Sequence, residues 1–109
     1  MPLLTVLKER EKRAKILRQD AFSEARRLAS LLKERFTFES IYICGSLLSG
    51  RFGYHSDIDM VIKGMRLENF FKAYALLIKT SRYEIDLKPF EDLPEDFKKN
   101  VITGGMKIG

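Results

Sequence analysis

Asp57 and Asp59 are separated by one apolar residue within the stretch Ser56-Asp57-Ile58-Asp59-Met60-Val61-Ile62-Lys63. Its alternation predicts a strand over residues 57–63, with Ile58, Met60 and Ile62 on one face and Asp57, Asp59, Val61 and Lys63 on the other. Side chains two apart on a strand leave it on the same side, so the two carboxylates stand together. Carboxylates so placed repel each other unless a cation lies between them, and such hard oxygen donors suit a divalent metal. Upstream, Gly45-Ser46 follows the apolar run Ile41-Tyr42-Ile43-Cys44. Glycine frees the backbone to turn and serine is a good helix N-cap, so this step can present backbone N–H groups at a helix start, a setting suited to phosphate. A phosphate cradle beside a divalent-metal site is the equipment of nucleotide chemistry. Asp86, in the later alternating stretch Tyr83-Glu84-Ile85-Asp86-Leu87-Lys88, can share a sheet face with the first two aspartates. Lys63, Lys88 and Arg51 could add positive charge by position alone.

The elements that would hold these residues follow from periodicity. Residues 38–44 are β-branched, aromatic and short, as a strand requires. Leu47 and Leu48 suggest a short buried turn of helix before Gly50. The loop over 50–56 carries two glycines and aromatics; it is either a plain connection or a contact for a base or acceptor. From Leu67 the period changes to that of a helix, with Leu67, Phe70, Phe71, Tyr74, Leu77 and Ile78 predicted to face the core and Lys79 and Arg82 closing it. Residues 83–88 form the next strand, and a strand–helix–strand unit over 57–88 favours a parallel pair with a right-handed crossover. Acids early and lysines late mark a short helix over 91–102, stopped by Gly104-Gly105. The tail from Met106 to Gly109 is left as docked or loose.

Before the first strand, residues 3–36 read as one long helix, or two with a bend near Asp20. Leu17, Ala21, Ala25, Leu28, Leu32 and Phe36 make one apolar stripe. The 109 residues carry a net charge of +5, and the excess lies in residues 1–38, where ten Lys/Arg face five acids; the remainder holds ten of each. Lys8 to Lys15 is almost wholly charged and has little to bury, which fits a solvated helix with ion pairs at helical spacing or a partner-binding surface. Basic residues without interleaved aromatics argue against nucleic acid as the partner.

The length and the apolar fraction of 45% allow one small globular domain. No apolar run reaches the roughly 18 residues that span a bilayer, so no membrane is expected. The N-terminus lacks the basic leader and length of a secretory signal. One cysteine, Cys44, leaves no internal disulfide and no four-cysteine zinc site; one histidine, His55, removes most histidine-based catalysis. Cys44 is expected as a small buried residue. A cytoplasmic setting is the expectation.

Gly45-Ser46 followed by Ser56-Asp57-Ile58-Asp59-Met60-Val61 resembles the signature of the nucleotidyltransferase superfamily whose catalytic palm is shared with polymerase beta. The short length resembles its minimal nucleotidyltransferase (MNT) branch, the antitoxins of the HEPN/MNT type. The resemblance implies an α/β (α+β) fold, a small mixed palm-like sheet of three or four strands packed with helices. It divides the single domain 1–109 into a basic helical segment over 3–36 and a catalytic core over 38–102. By the same resemblance Asp57, Asp59 and Asp86 are catalytic and bind Mg2+, as two ions, with Mn2+ as a substitute. Gly45 and Ser46, with Ser56 and Arg51 beside them, bind the nucleoside triphosphate. Where many minimal members carry arginines after Gly-Ser, this chain has Leu47, Leu48 and Ser49. The branch implies transfer of AMP from ATP to a tyrosine of a partner HEPN-type toxin, in an assembly of like or unlike chains. Two other readings stay open: a catalytically weak module that neutralises the toxin by contact, and a nucleotidyltransferase acting on a small-molecule hydroxyl.

Overall fold

The computed structural model describes residues 2–109. Helix α1, Leu3–Arg35, is one continuous element of 33 residues, without a break at Asp20. No proline or glycine interrupts it after Pro2, which sits at the N-cap, where its missing N–H costs nothing. At 1.5 Å per residue α1 is about 50 Å long, close to the 54 Å long axis of the molecule. Its second half buries Ala21, Glu24, Ala25, Leu28, Ala29 and Leu32. Its first half runs beyond the body with Leu3, Leu4, Leu7 and Ile16 exposed and Arg13 paired to Glu9 one turn away at 3.6 Å.

The chain continues through β1 (Ser40–Cys44), α2 (Ser46–Ser49), β2 (Ile58–Lys63), α3 (Leu67–Thr80), β3 (Ile85–Pro89), a 3-10 turn (Phe90–Asp92), α4 (Glu95–Gly104) and β4 (Met106–Lys107). The four strands form one mixed sheet in the order β3-β2-β1-β4. β2 and β3 are parallel, the pairing expected of a strand–helix–strand unit, while β1 is antiparallel to both β2 and β4. The C-terminal tail docks: Ile41 N–H donates to the Gly109 carbonyl at 3.1 Å and Ile108 N–H to the Ile41 carbonyl at 2.9 Å.

One sheet face is the core. Ile41, Ile43, Ile58, Met60 and Ile62 are fully buried on it, with Leu28 and Leu32 of α1 and Leu77 of α3 in the same cluster. On the other face Val61 is buried too, because the 3-10 turn lies over β2. The six apolar positions expected to bury α3 do not all do so. Phe70 and Leu77 are buried, but Leu67, Phe71 and Ile78 are 61%, 65% and 65% exposed. A helix meets a sheet and one neighbouring helix along a single stripe, and α3 carries more apolar surface than that stripe covers. Among the described residues no helix is long and apolar enough to cross a membrane.

Candidate active site

The two carboxylate strands meet side by side. Asp59 on β2 lies opposite Asp86 on β3 in the parallel register, and Cys44 at the end of β1 lies opposite Asp59 on the other side. Asp57 precedes β2 by one residue. Asp59 thus sits at the centre, and its carboxyl is pushed above the ordinary carboxylate range, chiefly by burial and next by the charge of Asp86. Lys88 opposes that rise, and Asp57 adds to it. Burial also pushes the Cys44 thiol up, with the charge of Asp59 adding to the effect, so this cysteine is no thiolate nucleophile.

Lys88, two residues after Asp86, binds it at 2.5 Å and is itself held above its ordinary value by that contact. Among the described residues no three His, Cys, Asp or Glu side chains converge closely enough to hold a metal ion. The donor set nevertheless fits a hard divalent cation. Asp59 and Asp86 stand in register on adjacent strands and are hard oxygen donors of the kind a divalent cation takes.

Gly45 is fitted to this arrangement twice. Its backbone is at φ 69° and ψ −145°, a conformation side chains rarely adopt. A Cβ there would also collide with the carboxylate of Asp59. Gly45, not Ser46, is the N-cap of α2, and Ser46 is the first helical residue. Leu48 and Ser49 both donate to the Gly45 carbonyl, at 3.1 and 3.2 Å. The amides of Ser46 and Leu47, the first of the turn, have no acceptor within it. Ser56 lies on the loop before β2, its Oγ accepting from Gly53 N–H at 2.9 Å. It borders a separate hollow of about 480 Å³ beside Tyr54 and Tyr83. Arg51 and His55 are exposed.

A cavity of about 780 Å³ opens at Asp59; Asp57 and Asp86 are not in its lining. The turn and the sheet contribute Gly45, Ser49, Asp59 and Lys88 to its lining, and α4 with the residue before it contributes Leu93, Phe97 and Val101. Its turn α2 is held from outside by a residue the sequence gives little sign of. Arg18 of α1 donates from Nε to the Leu47 carbonyl at 2.8 Å and from Nη2 to the Leu48 carbonyl at 3.2 Å. The one available signal was its place beside Leu17, at the edge of the apolar stripe, where a long cationic side chain can reach a neighbouring element.

A family model for polymerase beta nucleotidyltransferases matches residues 26–108. The chain belongs to this family. It therefore carries a nucleotidyltransferase domain, and the aspartate strands and the glycine turn lie within the matched residues. No curated protein is significantly similar to the chain. Solved structures share its fold. A chain of a crystal structure of a toxin–antitoxin with AMP-PNP superposes with a TM-score of 0.65 at 20% identity, over 79% of this chain and 72% of that one. A mutant of the toxin–antitoxin MntA-HpeT, with two aspartates two positions apart changed to glutamate, gives 0.64 at 17% identity over 76% and 70%. A second MntA-HpeT mutant, with a tyrosine changed to alanine, gives 0.62 at 21% identity over 76% and 69%.

Proposed function

We propose that this nucleotidyltransferase transfers AMP from ATP to a tyrosine hydroxyl of a partner HEPN-type toxin and thereby acts as its antitoxin. The observation that carries the reading is Asp59 held between Asp86 and the glycine turn, in a chain of the polymerase beta nucleotidyltransferase family. The toxin–antitoxin setting of the structures that share the fold supports the partner, and the AMP-PNP of one of them supports the nucleotide. The two aspartates altered in a relative have the spacing of Asp57 and Asp59.

In this reading the amides that follow Gly45, those of Ser46 and Leu47, hold the β- and γ-phosphates, and exposed Arg51 adds charge from the loop that follows. Ser56, which borders the separate hollow, holds that loop through Gly53 N–H. Asp57, Asp59 and Asp86 would hold Mg2+, as a pair of ions, or Mn2+ in its place. When bound, such ions offset the charge of the phosphates and of the leaving group. Asp86 accepts the proton of the tyrosine hydroxyl as its oxygen attacks the α-phosphorus. The bond from that phosphorus to the α–β bridging oxygen breaks, and pyrophosphate leaves. Lys88 keeps the carboxylate of Asp86 in position on β3.

The test is incubation of the protein with its toxin partner, magnesium and labelled ATP. Label is expected on a partner tyrosine, and Asp57→Asn with Asp59→Asn is expected to abolish it. Absence of label with the parent protein, or label that survives the double substitution, sinks the reading. The exposed row Leu67, Phe71 and Ile78 on α3 favours a second reading, neutralisation by contact. Unchanged protection against the toxin by the double variant would select it.

A further inference from the structure

The cavity at Asp59 is also walled by α4. Leu93, before the helix, and Phe97, Asn100 and Val101 along it share the lining with Asp59 and Lys88 of the sheet. Phe97 and Asn100 are three residues apart and Phe97 and Val101 four, so all three project from one face of α4. Val101 is buried, whereas Phe97 is 59% exposed. It is also the one aromatic ring in this lining. Phe90 nearby is already covered by cations, with Lys63 at 5.0 Å and Lys98 at 5.8 Å from its ring centre. A volume of about 780 Å³ lies in the range of small-molecule sites, roughly 300–1,000 Å³. A ligand that matches a lining of charged sheet residues and an aromatic helix residue carries both phosphates and a flat aromatic group.

We infer that α4 provides the base subsite of the nucleoside triphosphate, with Phe97 stacked on the nucleobase and Asn100 facing its polar edge. This rests on the nucleotidyltransferase reading and adds to it the residues that grip the base. An aromatic ring stacks on any nucleobase, and most on the larger purines, while an amide both donates and accepts.

The chain contains no tryptophan, so Phe97→Trp installs a single reporter at the subsite. Its fluorescence is titrated with magnesium ATP and, separately, with magnesium tripolyphosphate, which carries the phosphates without a base. ATP is expected to quench the reporter saturably and tripolyphosphate to leave it unchanged. A tryptophan at Phe71, on α3, should respond to neither. By calorimetry, Phe97→Ala should weaken ATP about tenfold, the size of one base–aromatic stack, and leave tripolyphosphate binding as it was. Thermal melts check that all three variants fold. Equal ATP affinity in parent and Phe97→Ala, or equal quenching by the two ligands, overturns the subsite. Tripolyphosphate binding as tightly as ATP to the parent removes the base subsite and spares the phosphate site. Failure of both ligands to bind overturns the subsite and the nucleotidyltransferase reading together.

Discussion

A side chain at position 45 would meet two separate obstacles. The backbone there is at φ 69° and ψ −145°, which for any residue with a Cβ costs about 1–3 kcal/mol. The Cβ itself would run into the carboxylate of Asp59, so relief of the clash must displace the central acid of the site. Gly45→Ala is therefore expected to lower unfolding free energy by about 1–3 kcal/mol and to reduce nucleotidyl transfer to background. Ser46→Ala, next in sequence, should stay within about 0.5 kcal/mol of the parent; denaturant unfolding and the labelled-ATP assay check both. Strand alternation made the pairing of Asp59 with Asp86 legible in the sequence, while Asp57, expected on the same strand, lies one residue before β2. Why position 45 must be glycine was not legible. The reason is a contact with a residue fourteen positions away, created by the register of β1 against β2.

Four residues are too few for a helix to stand by itself, because the cost of the first turn is not yet offset by further hydrogen bonds. α2 depends instead on Leu47, fully buried beneath it, and on Arg18 holding its last carbonyls. Arg18→Ala removes two charge-assisted bonds from a half-buried position and should cost about 1–2 kcal/mol. The loss should fall mainly on the turn: amide exchange at Leu48 and Ser49 rises and tripolyphosphate binding weakens several-fold, while the sheet amides keep their protection. Arg18→Lys should not restore it, since one ammonium cannot reproduce the planar fork that reaches both carbonyls. Element order, the parallel β2–β3 pair and the long first helix could all be read from periodicity. What periodicity misjudged was α3, where it counts apolar positions without knowing how many neighbours there are to cover them. β4 is two residues long, too short for any alternation, and forms because β1 offers it an edge.

At the scale of the whole molecule, one buried acid ties the long helix to the far end of the sheet. Glu24, fully buried, receives Arg27 Nε at 2.7 Å and Nη2 at 2.9 Å, and also the backbone N–H of Arg82 at 2.7 Å. Arg27 in turn donates to the Thr80 carbonyl at 2.9 Å, at the end of α3. Helix α1, the close of α3 and the approach to β3 are thus joined through one carboxylate, and β3 carries Asp86. The hydrogen bonds from Arg27, and further those from Arg82, outweigh burial and hold Glu24 down at about 2, from an ordinary 4.5. A carboxyl lowered on folding stabilises the fold fully above its unfolded value, and that stability is lost as pH falls from about 4.5 to about 2. The shift corresponds to at most about 3 kcal/mol, and nearer 2 once the solvent around half-exposed Arg27 and Arg82 is allowed for. Glu24→Gln removes the titration while keeping the shape. Urea unfolding at pH 6 and at pH 3 should show the parent losing on the order of 1–2 kcal/mol more than the variant over that interval. The variant should already be the weaker protein at pH 6, because a neutral amide leaves two guanidinium groups without their anion. An equal acid loss in the two proteins would mean that the junction is held by apolar packing of Ala21, Ala25 and Leu28 alone, with the carboxylate contributing nothing to it.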